Sequence, residues 1–327
     1  MNATHQATAL AHPNIAFIKY WGNRDDQLCL PLTGSLSMAL DGLDTVTQVN
    51  FNPDLTTDRF ILNGMEQSGA TLNRVALFLD YVRKLAGLTH FAQVESNNNY
   101  PSGAGIASSA AAFAALALAA SKAAGLDLSE RELSRLARLG SGSACRSVPG
   151  GFAEWLPGSR DADSYAIQIA PPEHWDLVDL IVVVDRSEKA VGSSAGHKLA
   201  ETSPLQALRV AGVPERLEQC RTAVLTRDFE RLAQVVELDS EWMHAVMRTS
   251  NPPLYYWKPA TEVVLWNVRA WRAQGHAVCA TVDAGPNVHV IALGQEASWA
   301  EAQLRALPSV QEVLTAKPGG GAKILEQ

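Results

Sequence analysis

Apolar residues along the chain gather into two kinds of segment. Short β-branched and apolar runs at 45–51 (TVTQVNF), 91–95 (FAQVE), 164–170 (SYAIQIA), 177–184 (LVDLIVVV), 277–283 (AVCATVD) and 288–293 (VHVIAL) predict strands. Helical spacing predicts helices near 71–86, 106–124, 130–139, 205–224, 228–248, 259–274 and 297–306. Ser129 and Glu132 have the spacing of a capping box ahead of the third. Strands and helices alternate irregularly, which predicts an α+β fold rather than a regular parallel βαβ array. No internal repeat or low-complexity linker interrupts them. The polar stretch DRSEKAVGSSAGHK after 177–184 marks a lobe boundary, giving lobes 1–185 and 186–327.

One segment resists sorting. In HPNIAFIKYWGNRDDQLCLPLTGSLSMAL, residues 12–40, a strand places Ile15, Phe17 and Lys19 on one face and Ala16, Ile18 and Tyr20 on the other. A lysine in such company snorkels, pairs with an anion, or loses its charge, and snorkelling is the ordinary outcome. The apolar run 104–120 is alanine-rich and carries Ser108 and Ser109, so it predicts a buried helix, not a membrane span.

Composition narrows the function class. The 327 residues are 47% hydrophobic and 19% charged, as in a globular protein with room for two lobes. The net charge of −7 disfavours a general nucleic-acid or anionic-membrane binder, so any phosphate site must be local. Cys29, Cys145, Cys220 and Cys279 are far apart, and the eight histidines include no HxxxH spacing, so no transition-metal motif is present. The start MNATHQATAL lacks the pattern of a secretory signal; with unpaired thiols, this predicts a cytoplasmic protein.

Four segments carry candidate chemistry. In NNNYPSGAGIASSAAAFAALALAASKAAG, residues 97–125, a small-residue loop precedes a helix, an arrangement that can bring backbone N–H groups to an anion. The loop is neither a Walker A nor a GxGxxG motif, and tight packing alone would also explain it. In GSGSACRSVPGGFAEW, residues 140–155, Ser141, Ser143 and Arg146 could hold a carboxylate or phosphate; an exposed loop arginine is the plainer alternative. VGSSAGHK, residues 191–198, adds Ser193 and Ser194 or is a simple hinge. In CATVDAGPNVHVIAL, residues 279–293, Asp283 ends a strand; it either caps the turn or stands ready to accept a hydroxyl proton.

Taken together and in order, NIAFIKYWG, LPLTGSLS, NNNYPSGAGIASSAA, GSGSACRS…GGFAEW, ETSPL and DAGPN resemble the mevalonate diphosphate decarboxylases of the GHMP kinase superfamily. The resemblance covers about residues 12–293. It implies an N-terminal lobe like the ribosomal S5 second domain, a ferredoxin-like C-terminal lobe, a site in the cleft between them, and a homodimer with no nucleic-acid or membrane partner. In that family ATP, with Mg²⁺, phosphorylates the tertiary 3-hydroxyl of a phosphorylated mevalonate. Loss of that phosphate with CO₂ then leaves an isopentenyl product.

The resemblance also assigns roles. Asn98, Pro101, Gly103, Ala104, Gly105, Ile106, Ala107, Ser108 and Ser109 would hold ATP, with the Ser109 hydroxyl near Mg²⁺. Asp283 would contact the 3-hydroxyl as base or orienting group, and Lys19 would neutralise charge between it and the transferring phosphoryl group. Arg146, held by Asn14, would grip the substrate carboxylate. Tyr20, Ser141, Ser143, Ser193, Ser194 and the residue at 23 would serve the substrate's own phosphate. The family usually has lysine after Trp-Gly, where this chain has Asn23, and some bacterial members have arginine where it has Ser194. Fewer cations at that end favour mevalonate 5-phosphate over the 5-diphosphate, unless Arg24 substitutes. The rivals are a kinase of the same superfamily that stops at the phosphorylated alcohol, and a nucleotide-binding sensor without catalysis.

Overall fold

A computed structural model describes residues 5–100, 108–187 and 191–325. Its first sheet has six strands in the order Lys323–Leu325, Gln6–Ala11, Thr45–Asn52, Phe91–Asn98, Arg59–Leu62 and Met65–Glu66. Thr45–Asn52 alternates buried and half-buried positions along its length, because one face is covered and the other is not. The cover is the Ser108–Ala123 helix. Its alanines, fully buried from Ala110 to Ala120 on the packed face, let the helix backbone approach the strands closely.

The second sheet runs Tyr165–Ala170, Phe152–Leu156, Ser35–Asp41, Glu312–Pro318, Leu177–Val183, Val288–Leu293 and Val278–Thr281, with Asn14–Ile18 also paired to Ser35–Asp41. Leu177–Val183 is buried at every position because helices cover both of its faces. Val213, Leu217, Val235 and Val236 of the helices Gln206–Thr226 and Phe229–Thr249 pack on one side. Val264, Val268 and Leu304 of Pro259–Ala273 and Ala297–Arg305 pack on the other. A two-sided core explains why LVDLIVVV shows an almost unbroken apolar run.

This strand pairs with Val288–Leu293 and Glu312–Pro318, both from later in the chain, so a cut at 185 separates strands that share ladders. The predicted helices appear within about two residues of their predicted ends; residues 106 and 107 of the second lie outside the described residues. Both hydrogen bonds of the capping box form between Ser129 and Glu132. Among the described residues, no helix is long and apolar enough to cross a membrane.

Lys19 does not snorkel. The ladder between Asn14–Ile18 and Ser35–Asp41 shifts register between Ala16 and Ile18, and Lys19 follows the last pair with only 1% of its surface exposed. Burial without an anion would cost far more than the lysine's stem could recover, so the side chain turns to a carboxylate instead.

Candidate active site

Lys19 Nζ donates to Asp283 Oδ1 at 2.5 Å, joining positions 264 apart in sequence. Asp283 stands just past the Val278–Thr281 strand and keeps about a quarter of its side chain exposed. Burial pushes its carboxyl up, but the opposing charges of Lys19, His289 and Arg146 outweigh that and hold it below the usual carboxylate range. Asp283 is therefore a carboxylate at neutral pH, with an exposed edge available to a ligand.

Arg146 lies in the short helix Gly142–Ser147 and is 2% exposed. Its Nη1 donates to Ser35 Oγ at 2.7 Å, and Nε and Nη2 both reach Asn14 Oδ1, at 3.3 and 3.1 Å. Asn14 is itself fixed by donating to Ser147 Oγ at 2.7 Å and to the Ser143 carbonyl at 3.2 Å. Among the described residues no carboxylate lies within ion-pair distance of Arg146. A buried guanidinium held only by neutral groups is suited to an incoming anion.

Tyr20 lies with its ring edge-on to Trp155, centroids 4.7 Å apart, and against His197 at 4.1 Å. Burial pushes its hydroxyl well above the usual range, so it stays a neutral donor, and it donates to Asn23 Oδ1 at 2.5 Å. The Asn23 amide donates to Asp26, so this side chain is committed to its own loop. Arg24 is exposed and donates to the Pro157 carbonyl. Ser141 Oγ lies 3.2 Å from Ser109 Oγ, which links the 140–147 turn to the start of the alanine-rich helix.

Ser108 and Ser109 open that helix on a cavity of about 360 Å³. Phe60, Val94 and Leu116 line it with Ser96, Asn98 and Arg74. Asn98 Oδ1 accepts from Thr45 Oγ1 at 2.7 Å. Pro101, Gly103, Ala104, Gly105, Ile106 and Ala107 lie outside the described residues. Ser193 and Ser194 begin the Ser193–Leu199 helix, with Ser194 exposed. That helix rests on the 20–22 segment. His197 Nδ1 accepts the Gly22 N–H at 2.9 Å, and a Cβ at Gly196 would fall 2.5 Å from the Trp21 ring.

The sequence motifs did not point to several residues here. Arg74 donates Nε and Nη2 to the Gly140 carbonyl, next to Ser141 in sequence, and so brings a cation to the wall of the cavity. His197, Asp239, Ser240 and His244 also hold the site's backbone.

Comparison with known proteins decides the family. Residues 11–166 match the diphosphomevalonate decarboxylase-like N-terminal domain, and residues 179–319 match the mevalonate 5-diphosphate decarboxylase C-terminal domain. The chain belongs to the diphosphomevalonate decarboxylase family. It is 39% identical over 310 residues to the Ganoderma lucidum diphosphomevalonate decarboxylase, covering 87% of this chain and 78% of the relative. The human enzyme is 39% identical over 309 residues, covering 88% and 76%. Among solved structures, the Staphylococcus aureus mevalonate diphosphate decarboxylase superposes with a TM-score of 0.94 at 38% identity, covering 98% of both chains. A protein described as MDDEF, in complex with MVAPP, AMPPCP and magnesium, gives 0.93 at 40% identity, covering 98% and 99%. The diphosphomevalonate decarboxylase family fold seen here is the α+β GHMP kinase fold, and the chain is an ATP-dependent decarboxylase.

Proposed function

We propose that the enzyme converts mevalonate 5-diphosphate and ATP to isopentenyl diphosphate, CO₂, ADP and phosphate. The observation that carries this is the buried Lys19–Asp283 pair beside Arg146, a guanidinium with no carboxylate partner among the described residues. Asp283 takes or orients the proton of the tertiary 3-hydroxyl as that oxygen is phosphorylated. Lys19 keeps Asp283 ionised and offsets the charge that develops between it and the transferring group. Arg146, set by Asn14 and Ser35, holds the substrate carboxylate. When the 3-phosphate leaves, the electron pair of the carbon–carboxyl bond forms the alkene.

The 360 Å³ cavity has the apolar walls and few polar groups suited to a purine, and it opens at the positive end of the 108–123 helix, beside which phosphates are favoured. Ser109 offers Mg²⁺ a hard hydroxyl oxygen. The described lining holds no carboxylate, so the triphosphate and water would supply the remaining ligands.

The diphosphate replaces the monophosphate preference because of what the relatives are named. The relatives at 38–39% identity are named diphosphomevalonate or mevalonate diphosphate decarboxylases. Asn23 supports the monophosphate as a second reading, since a neutral amide stands where a cation would serve the second phosphate. ATP turnover measured on mevalonate, its 5-phosphate and its 5-diphosphate separates them. The expected kcat/KM is at least about tenfold higher for the diphosphate, the worth of one charge-assisted contact. A higher value for the monophosphate overturns the choice, and ADP without CO₂ would indicate a kinase. The proposal includes a cytoplasmic homodimer; the four free thiols support a reducing compartment.

Tyr20 offers a further check on the phosphate end. A Cβ at Gly142 would sit 2.6 Å from Tyr20 Cε1 and 2.7 Å from its hydroxyl oxygen. With Trp155 and His197 already against the ring, Gly142→Ala must displace it, and overpacking of this kind costs about 1–3 kcal/mol. The expected result is a KM for the mevalonate substrate raised about tenfold, with kcat changed less, measured by steady-state kinetics on a variant shown to be folded.

A further inference from the structure

Lys19 and Asp283 sit on strand ends that do not pair with each other. Asn14–Ile18 pairs with Ser35–Asp41, and Val278–Thr281 pairs with Val288–Leu293. The last ladder partners are Ile18↔Leu36 and Thr281↔His289, so each reacting residue lies beyond the ladder that carries it. The two strands belong to one sheet but are not neighbours in it, so no ladder joins these two ends directly.

The Phe229–Thr249 helix does touch both. Asp239 Oδ2 accepts the Lys19 N–H at 2.7 Å. Its neighbour Ser240 accepts the Val282 N–H at 3.1 Å and donates to the Val282 carbonyl at 3.3 Å. One turn on, His244 Nε2 lies 3.1 Å from the same carbonyl. All three side chains are nearly or fully buried, where polar groups are tolerated only with partners. Their partners are the backbone of Lys19 and of the residue just before Asp283. Asp239 is held in turn by Arg216 Nε at 2.8 Å, while Arg209 Nη2 donates to the Lys19 carbonyl at 2.7 Å. The Lys19 peptide is thus gripped at both its N–H and its C=O.

We propose that this helix is a brace that sets the spacing of Lys19 and Asp283, with Asp239, Ser240 and His244 as positioning residues. The proposal rests on the catalytic role given to the pair above. A helix is rigid, and positions 239 to 244 span about 7.5 Å along its axis, so two separate strand ends become one unit. Burial pushes the His244 imidazole down to about 3, so the ring is neutral and donates its Nε2 hydrogen to Val282. His244 therefore adds no charge change near neutral pH. The groups facing Asp283 are Lys19 from the first strand end, Arg146 from the 142–147 helix, His289 from the neighbouring strand and His244 from the brace.

Ser240→Ala removes both bonds to Val282. The expected result is a kcat lower by on the order of tenfold with KM within about twofold, since small misplacement of a reacting group acts on turnover. The acid limb of the kcat–pH profile should also move to higher pH, because a looser Lys19 contact no longer opposes the burial of Asp283. His244→Leu should act in the same direction, and His244→Gln, which keeps an N–H near the Nε2 position, should recover most of the loss. Circular dichroism and thermal unfolding identify the folded variants. Unchanged kcat and pH profile in folded Ser240→Ala or His244→Leu overturns the brace, as does His244→Gln being no better than His244→Leu. Asp283→Asn is measured alongside. If it retains turnover, the catalytic pair fails and the brace with it; if it is inactive while the helix variants turn over normally, the brace alone fails.

Discussion

Asp283→Asn is expected to lower kcat by a factor on the order of 10² or more while KM stays within severalfold, the usual span for removing a positioned acid–base group. The amide has nearly the shape of the carboxylate and can still accept from Lys19 Nζ, so packing is preserved. What disappears is the negative charge proposed to accept or orient the 3-hydroxyl proton. The wild-type carboxylate is held ionised against its burial, so its contribution should be present at neutral pH and fade as pH falls through a depressed titration point. Steady-state kinetics and a kcat–pH profile test this. Near-normal turnover in a folded variant would remove Asp283 from the chemistry.

Lys19→Met is expected to lose activity by a similar or larger factor, because it removes both the charge facing the transferring group and the chief partner that holds Asp283 ionised. Methionine fills much of the lysine's volume, and the backbone contacts to Asp239 and Arg209 do not involve the side chain, so the variant should fold. Removing one member of a buried pair commonly costs 3–5 kcal/mol. Here Asp283 keeps an exposed edge and the charge of Arg146 nearby, so the loss of stability should be about 1–3 kcal/mol. The sign with pH follows from burial. Without Lys19 the Asp283 carboxyl rises, so the stability it lends above the unfolded carboxylate range shrinks and any residual activity fails at a higher pH than in the wild type. Thermal unfolding across pH, with turnover measured in parallel, checks both parts. Full activity in this variant would leave Lys19 a structural ion pair only.

The strongly patterned elements were legible because their burial follows a local period. Val264, Leu265, Val268 and Trp271 mark the covered face of one helix, and Ser129 with Glu132 marks the start of another. The strands Gln6–Ala11, Ser35–Asp41, Phe152–Leu156 and Glu312–Pro318 carried no comparable signal. QATALA and EVLTAKP mix small, polar and apolar residues, and their places in the sheets depend on partners far away in sequence. The motif residues at 14, 19, 20, 141, 146 and 283 could be named from their wording, but Lys19 in isolation suggested snorkelling, because its counter-charge is remote in sequence. Arg74 lies on what reads as a solvated helix face. Asp239, Ser240 and His244 did leave a trace, since they interrupt the apolar face formed by Leu232, Val235, Val236, Met243, Val246 and Met247. Helical spacing placed them at core positions, where polar residues need a specific reason.

The 264-residue separation between Lys19 and Asp283 also bears on how the chain matures. During synthesis at about 5–20 residues per second, Asp283 emerges roughly 13–50 s after Lys19, and Asp239 precedes it only slightly. Throughout that interval Asp283, the carboxylate it pairs with, is not yet made, and the lysine's final dry position is closed to it. The segment around it must stay hydrated while the ribosome is still translating, whatever its neighbours have already formed. Closure of the Lys19–Asp283 pair is therefore a late event, and a mature molecule is one whose most distant contacts have closed.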